Sequence, residues 1–274
     1  MSMILQELAV PVLIEAIEQN FTEEMAWFGR ALPQAELHKT PELLTLYTDA
    51  SGPNGVLYTR FVREDERYVL HKIHEVMDYF SACGVSFGWS VGPSTRPSRL
   101  AAMLESRGFV YSASTKGMAI DLLAMRADIP RNTELVITEI QDLEHLRLLR
   151  DMEMRGFDAT EKMAQRYYDV YAGAGFGNGL PMHHFIGWLR GAPVAIASLL
   201  YHAGVAGIYG VATIPEARRQ GVGAAMTLHV LHVARSTGYR VAILSPTTMS
   251  EAIYRRIGFN EYCQIHHYGS PSRK

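Results

Sequence analysis

The residues best suited to chemistry lie in one stretch, Val211-Ala212-Thr213-Ile214-Pro215-Glu216-Ala217-Arg218-Arg219-Gln220-Gly221-Val222-Gly223-Ala224. A strand-like apolar run precedes it, and a helical run that Gly238 can stop follows it. Two arginines and two glycines therefore sit at the start of a helix, where the first backbone N–H groups have no partner within the helix. The helix dipole adds partial positive charge there. Gly221 and Gly223 bring no side chain to hold a ligand off the main chain, and Arg218 and Arg219 add full charges. Such a turn can cradle a phosphate or pyrophosphate. The same residues alone also fit a tight turn with solvated arginines, and neither a Gly-Lys-Ser/Thr phosphate loop nor a GxGxxG fingerprint is present.

A second pattern follows at a fixed distance. Val241-Ala242-Ile243-Leu244-Ser245-Pro246 reads as a strand, and Ser250 to Phe259 as a helix ending in Tyr254-x-x-x-Gly258-Phe259. Together, Arg218-x-x-Gly221-x-Gly223 and Tyr254-x-x-x-Gly258-Phe259 resemble the two signatures of the GCN5-related N-acetyltransferases (GNAT).

That resemblance implies a division of labour. The main chain of Val211, Ala212 and Thr213 would bond the pantetheine arm of acetyl-CoA. The N–H groups within Arg219, Gln220, Gly221, Val222, Gly223 and Ala224 would hold the pyrophosphate, with Arg218 and Arg219 adding charge. Tyr254 stands where the family's usual proton donor for the leaving thiolate stands. A phenol of ordinary pKa about 10 protonating a thiolate of about 8.5 is uphill by roughly 2 kcal/mol, which positioning in a dry site can offset. Thr247 departs from the family's frequent Asn; Thr247 or Ser245 would make that coenzyme contact, or both are a turn and a helix cap.

No general base is identified. Ile208-Tyr209-Gly210-Val211 carries no carboxylate, and Glu153, Asp158, His183 and His184 are candidates by position only. His229 and His232 lie three apart with no third ligand spaced to them, so they read as helix surface and no metal is expected. Trp27, Trp89, Trp188, Tyr167, Tyr168 and Tyr171 could line an acceptor pocket, but core packing accounts for most of them.

Acyl transfer to a primary amine of a small molecule, by direct attack in a ternary complex, is the expected activity. A non-catalytic acyl-CoA sensor and a transferase of a bulkier acyl or aminoacyl group are the alternatives. Neither cysteine sits in a nucleophile motif. A homodimer stays open.

Composition bounds these readings. The chain has 274 residues, 48% hydrophobic, with a net charge of −2, a pI near 6.6 and a mean hydropathy of −0.02. No bulk field draws nucleic acid or an anionic membrane. Two cysteines, Cys83 and Cys263, are too few for a disulfide framework and fit a reducing cytoplasm. No run reaches about 18 apolar residues and no basic leader begins the chain, so neither a membrane span nor secretion is expected.

The positioning elements follow from periodicity. One or two helices are expected over Leu8 to Phe28, a hairpin of Leu43–Thr48 and Val56–Phe61 about a Ser51–Gly55 turn, and a helix from Glu64 to about Ala82. Then come a strand at Val85–Val91, a short helix to Ser106 and one or two strands over Val110–Leu122. The second half runs from a strand at Leu135–Ile140, through helices near Leu143–Arg155 and Lys162–Ala172, to strands at His183–Arg190, Val194–His202 and Val205–Thr213. A final strand pair is expected around Tyr262–Tyr268.

Both halves share an order, and Met103-Leu104-Glu105-Ser106-Arg107-Gly108-Phe109 aligns with Ile253-Tyr254-Arg255-Arg256-Ile257-Gly258-Phe259, which reads as a divergent duplication. In the first copy, Phe61-Val62-Arg63-Glu64-Asp65-Glu66-Arg67 has no glycine and sets three acids where phosphate would sit. The expected class is therefore α/β with a mixed sheet, in two GNAT-like domains of the acyl-CoA N-acyltransferase fold. Residues 1–130 form the degenerate copy and 131–274 the catalytic one. A paired domain favours an enclosed cleft and hence a small acceptor.

Overall fold

The computed structural model describes residues 3–50, 52–125, 129–177 and 179–271; Ser51 of the expected turn lies outside them. Helix α1 (Val10–Ala31) is single and continuous. Strands β1 (Glu36–Lys39), β2 (Leu43–Tyr47) and β3 (Gly55–Thr59) follow, then α2 (Glu66–Ala82), β4 (Gly88–Val91), α3 (Leu100–Glu105) and β5 (Val110–Asp121). The second half holds β6 (Val136–Glu139), α4 (Leu143–Phe157), α5 (Glu161–Ala174), β7 (Met182–Leu189), β8 (Ala192–His202) and β9 (Val205–Thr213). It ends with α6 (Val222–Ser236), β10 (Val241–Leu244), α7 (Glu251–Ile257) and β11 (Asn260–Gly269). The expected late strand pair is thus one strand; no Gly, Pro or Asn interrupts Glu261 to Tyr268 to turn it. Sequence reading had no signal for β1, whose polar Glu-Leu-His-Lys is largely exposed.

Two compact units form: Met1–Asn20 with Met118–Tyr262, and Phe21–Gly117 with Cys263–Lys274. They interleave along the chain rather than meeting at 130/131. Both long strands that follow a Gly-Phe corner change unit partway, β5 after Gly117 and β11 after Tyr262.

In the larger unit, β6, β7, β8 and β9 run antiparallel in that order. The chain then crosses through α6 to β10, which lies parallel to β9, and Met118–Asp121 of β5 completes the sheet antiparallel to β10. Alternation along the strands separates two faces. Phe185 meets His229 of α6 edge to face, and a side chain on Gly187 would meet Met226. His184 instead packs on Tyr171 of α5, and Gly156 of α4 lies against Ala212. Helix α6 is buried almost all round, and its Ala224, Ala225 and Ala234 keep it close to β8 and β9. Asn20 of α1, fully buried, donates to His202 O at 3.0 Å and accepts from Tyr209 Oη at 2.6 Å, which fixes the middle of α1 to the β8–β9 hairpin.

The smaller unit repeats the plan. Strands β1, β2 and β3 are antiparallel, α2 carries the chain to a parallel β4, and His266–Gly269 of β11 completes it antiparallel to β4. Its core gathers Val69, Ile73, Val76 and Phe80 from one face of α2 around Trp89, Leu104 and Phe109. Gly55 is where β3 meets β4 most tightly: a Cβ there would lie 2.5 Å from Gly88 O.

Gly55→Ala is therefore expected to cost about 1–3 kcal/mol in urea unfolding. Gly88→Ala, whose nearest neighbour would be at 3.8 Å, should cost less; equal losses would mean the β3–β4 approach is not the constraint.

Candidate functional site

The site begins where two strands stop pairing. Strand β10 pairs with β9 only from Ala206–Ala242 to Ile208–Leu244, while β9 continues to Thr213. From Tyr209 onward the β10 side of β9 belongs to no ladder among the described residues, and main-chain groups there need partners. On the other side β9 stays paired with β8, but the register jumps between Ser198–Tyr209 and Ile196–Ala212. The extra residue makes a bulge at Gly210 and Val211, with Gly210 at φ 58°. The segment the sequence assigns to the pantetheine arm, Val211 to Thr213, is thus a strand edge left open by the fold.

This edge leads through a tight turn, Pro215–Ala217, to the start of α6. Gly221 caps α6 in the left-handed region at φ 74°, with no side chain bonded to the first-turn amides. Arg219 is also left-handed at φ 61°. Left-handed residues on either side of Gln220 make a turn of the kind that can form an anion-binding nest. The two motif glycines serve differently. A Cβ on Gly221 would lie 2.8 Å from Asn132 N and 3.1 Å from Arg131 Cα, and Asn132 N donates to Gly221 O. Gly221 therefore makes room for the chain itself. A Cβ on Gly223 would find only Thr213 Oγ1 at 3.7 Å, so the bare first turn beside Thr213 is what Gly223 leaves open.

The arginines divide in the same way. Arg218 Nε donates to Thr213 O at 3.0 Å and its Nη2 to Gly156 O at 2.8 Å, tying the end of β9 to the end of α4. Arg219 is exposed and makes no ion pair among the described residues. Gln220 Nε2 donates to Glu216 O.

Tyr254 lies in α7 and is 6% exposed. Burial pushes its phenol up to about 12, while hydrogen bonds with Ser250 and Thr227 pull the other way. Thr227, on the second turn of α6, donates to Gly223 O at 2.9 Å, so the phenol and the cradle share a neighbour that sequence reading missed. Helix α7 ends in two bonds, Gly258 N to Arg255 O and Phe259 N to Tyr254 O, with Gly258 at φ 121°. Thr247 and Ser250 cap one another: Thr247 N donates to Ser250 Oγ at 3.0 Å, and the hydroxyls are 2.9 Å apart. Both hydroxyls thus have local partners.

The smaller unit has the same slot, filled by its own chain. Strands β3 and β4 pair only to Val56–Trp89. Beyond that point the main chain of Arg96 enters, taking Thr59 O and giving its carbonyl to Phe61 N. Trp89, fully buried, donates to Thr59 Oγ1. At the start of α2, Asp65 accepts from Tyr68 N, and Glu42 takes Val62 N at 2.6 Å and Tyr68 Oη at 2.7 Å. Carboxylates occupy donors that a phosphate would need. The α3 corner repeats the α7 bonds, Phe109 N to Leu104 O and Gly108 N to Glu105 O, but a buried leucine stands where Tyr254 does.

The remaining candidates separate by face and burial. His183 Nδ1 pairs with Glu139 at 2.6 Å. Asp158 is the exposed, left-handed end of α4. Glu153 is buried on α4. His184 is 2% exposed, its Nδ1 2.8 Å from Ser198 Oγ, and burial with His183 nearby pushes it down to about 3. That places it far below a useful base. Trp89 is core. Trp188 donates to Thr138 and lines an open apolar groove of about 540 Å³ with Val136 and Arg190, on the outer strands β6 and β7. His232 bonds Leu228 O within α6, and no cluster of metal-ligating residues occurs among the described residues. No helix there is long and apolar enough to cross a membrane.

Comparisons with known proteins bear on the fold. Residues 200–262 match the family model of the acetyltransferase (GNAT) domain. No curated protein matches the chain. A GCN5-related N-acetyltransferase from Kribbella flavida is 19% identical, with a TM-score of 0.72 over 98% of both chains. A tandem GNAT protein from the clavulanic acid biosynthesis pathway is 15% identical, with a TM-score of 0.63 over 96% of both. A GCN5-related N-acetyltransferase from Sphaerobacter thermophilus is 14% identical, with a TM-score of 0.62 over 86% of this chain and 75% of its own. The fold is shared with these structures, tandem form included.

The two glycines give a direct check. Gly221→Ala is expected to cost about 1–3 kcal/mol of stability through its left-handed backbone and its contact with Arg131 and Asn132, whereas Gly223→Ala should stay within about 1 kcal/mol. Urea unfolding of both variants decides it, and the opposite order would contradict the assignment.

Proposed function

We propose that this chain, an acyltransferase carrying a GNAT domain in residues 200–262, moves the acetyl group of acetyl-CoA to a primary amine of a small molecule by direct attack in a ternary complex. The observation that carries the reading is the continuity of an open β9 edge with an uncapped helix start. An extended amide-bearing arm ending in a pyrophosphate is the shape those two features fit together. The larger unit is the coenzyme-binding half, and the self-filled slot of the smaller unit leaves one site per chain.

Acetyl-CoA, when bound, supplies an activated thioester. The edge of Val211, Ala212 and Thr213 orients the arm. The amides from Arg219 to Ala224 hold the pyrophosphate with the charge of Arg219, and Arg218 sets the turn's shape by holding Thr213 O and Gly156 O. Tyr254 keeps its proton at any physiological pH, since burial holds it near 12. Delivering that proton to a thiolate whose thiol has an ordinary pKa of 8.5 is uphill by about 5 kcal/mol, and the hydrogen bonds with Ser250 and Thr227 already hold the phenol below where burial alone would put it, so close positioning in the site must offset the rest. Thr247 serves first as a cap for α7. The acceptor is a small molecule because the polar groups on the α4 and α5 side of the bulge are buried rather than displayed. Two free cysteines suit the cytoplasm, where we place the protein.

Calorimetric titration with acetyl-CoA is expected to show one site per chain, with thiol release on adding amines. Tyr254→Phe should lower kcat by about 10²-fold with coenzyme affinity unchanged. Binding without release across an amine panel would favour a sensor, and absence of binding would remove the cradle.

A further inference from the structure

We infer that the acceptor amine binds as its uncharged free base on the α4 and α5 side of the β9 bulge, donating an N–H to His184 Nε2. This rests on the acyltransfer reading above and names the group that meets the acceptor.

A polar row crosses the sheet at the bulge. His184 of β7 lies opposite Ser198 of β8, and Ser198 lies opposite Tyr209 of β9, so the three share one face. His184 Nδ1 and Ser198 Oγ are 2.8 Å apart, and that hydroxyl lies 3.8 Å from where a Cβ on Gly210 would be. Tyr209 Oη is held by Asn20. The row thus ends against the bulge beside the open edge of β9. Three of its members are enclosed, His184 at 2% exposed, Ser198 at 6% and Asn20 at 0%, and Tyr209 is half-buried.

One atom in the row is unsatisfied. His184 Nε2 is buried with no hydrogen-bond partner, which in a packed interior calls for a ligand that completes it. Burial holds the ring neutral, down to about 3. In the tautomer that carries its proton on Nδ1, that nitrogen donates to Ser198 Oγ and Nε2 presents a lone pair to an N–H. A dry surround resists an ammonium and admits the free amine, which is the form able to attack a thioester. The elements packed here carry the buried Glu153 of α4, Tyr171 and Tyr167 of α5, and Tyr209, with Arg150 and Asp151 of α4 paired to each other; His183 points to the other face. The ring of Tyr171, 4.0 Å from that of His184 and tilted by 40°, closes this side. Acceptor entry requires it to turn aside, and an aromatic amine suits the surface it leaves.

The test uses the full chain saturated with acetyl-CoA, 2-phenylethylamine as probe and its β-fluorinated analogue, whose ammonium is more acidic. In wild type labelled with ¹⁵N-histidine, the probe should shift the Nε2 resonance of His184, and the lower-pH limb of kcat/KM should move down with the analogue. His184→Phe keeps a ring against Tyr171 and should raise KM for the probe about tenfold, with acetyl-CoA affinity and kcat little changed. An unshifted resonance would overturn the inference even if that variant fails to fold. So would a pH limb that ignores the amine's acidity, which would point to Glu153 as a base. Loss of acetyl-CoA binding by wild type would instead sink the acyltransfer reading.

Discussion

A parallel pair of strands normally continues until both run out, because each unpaired N–H and C=O in a sheet interior has a cost. Here β10 ends at Leu244 while β9 runs five residues further, from Tyr209 to Thr213. The candidate site depends on that mismatch. It requires the chain to leave β10 at Ser245-Pro246, where proline removes a donor from the ladder, and to turn into α7 through the mutual cap of Thr247 and Ser250. It also requires β9 to be held without β10, which β8 does from the other side despite the bulge. Arg218 locks the far end by bonding Thr213 O. An edge so braced is already shaped by the chain's own bonds, and pre-organisation is the condition under which binding costs least.

The smaller unit shows what becomes of the same mismatch without a ligand. Its β3 also outruns its partner, but the main chain at Arg96 fills the gap and carboxylates of Asp65 and Glu42 take the donors at the helix start. The two solutions obey one rule, that buried or edge amides find acceptors, and differ only in where the acceptor comes from. Glycine against acid at the helix start decides it: side-chain caps stabilise α2 by about 1 kcal/mol and in the same act remove it as an anion site. Leu104 in place of Tyr254 completes the loss with the corner's geometry intact.

Much of this was legible in the sequence because it is written locally. Apolar periodicity located the helices, turn residues located the hairpins, and the Gly-Phe corners marked where both copies end. Residues whose role depends on distant chain were read less well. Gly221 seemed to clear space for a ligand, but the chain at Arg131 and Asn132, some ninety residues away, takes that space. Arg218, which the sequence reads as a phosphate charge, also holds two carbonyls, and no spacing rule announces Gly156. The division at 130/131 followed the repeated order of elements, whereas β5 and β11 each cross from one unit to the other, which only strand pairing reveals. Thr227 and Ser198 sit in apolar runs and give no sign that they flank a phenol or an imidazole.

These last residues bear on how the chemistry is arranged. Both titratable groups nearest the proposed reaction are held in their neutral forms by burial, Tyr254 with its proton and His184 without a second one. A site of that kind does not generate a nucleophile by abstracting a proton with a charged side chain. It excludes the ammonium, accepts the free amine, and keeps a phenol whose proton is available only to a group at least as basic as a nascent thiolate. The absence of a carboxylate on β9 then follows from the same design, because an ionised base beside the bulge would favour the very ammonium that the dry surround rejects. Burial, usually counted as the enemy of catalytic charge, is here the device that sets which protonation state may enter.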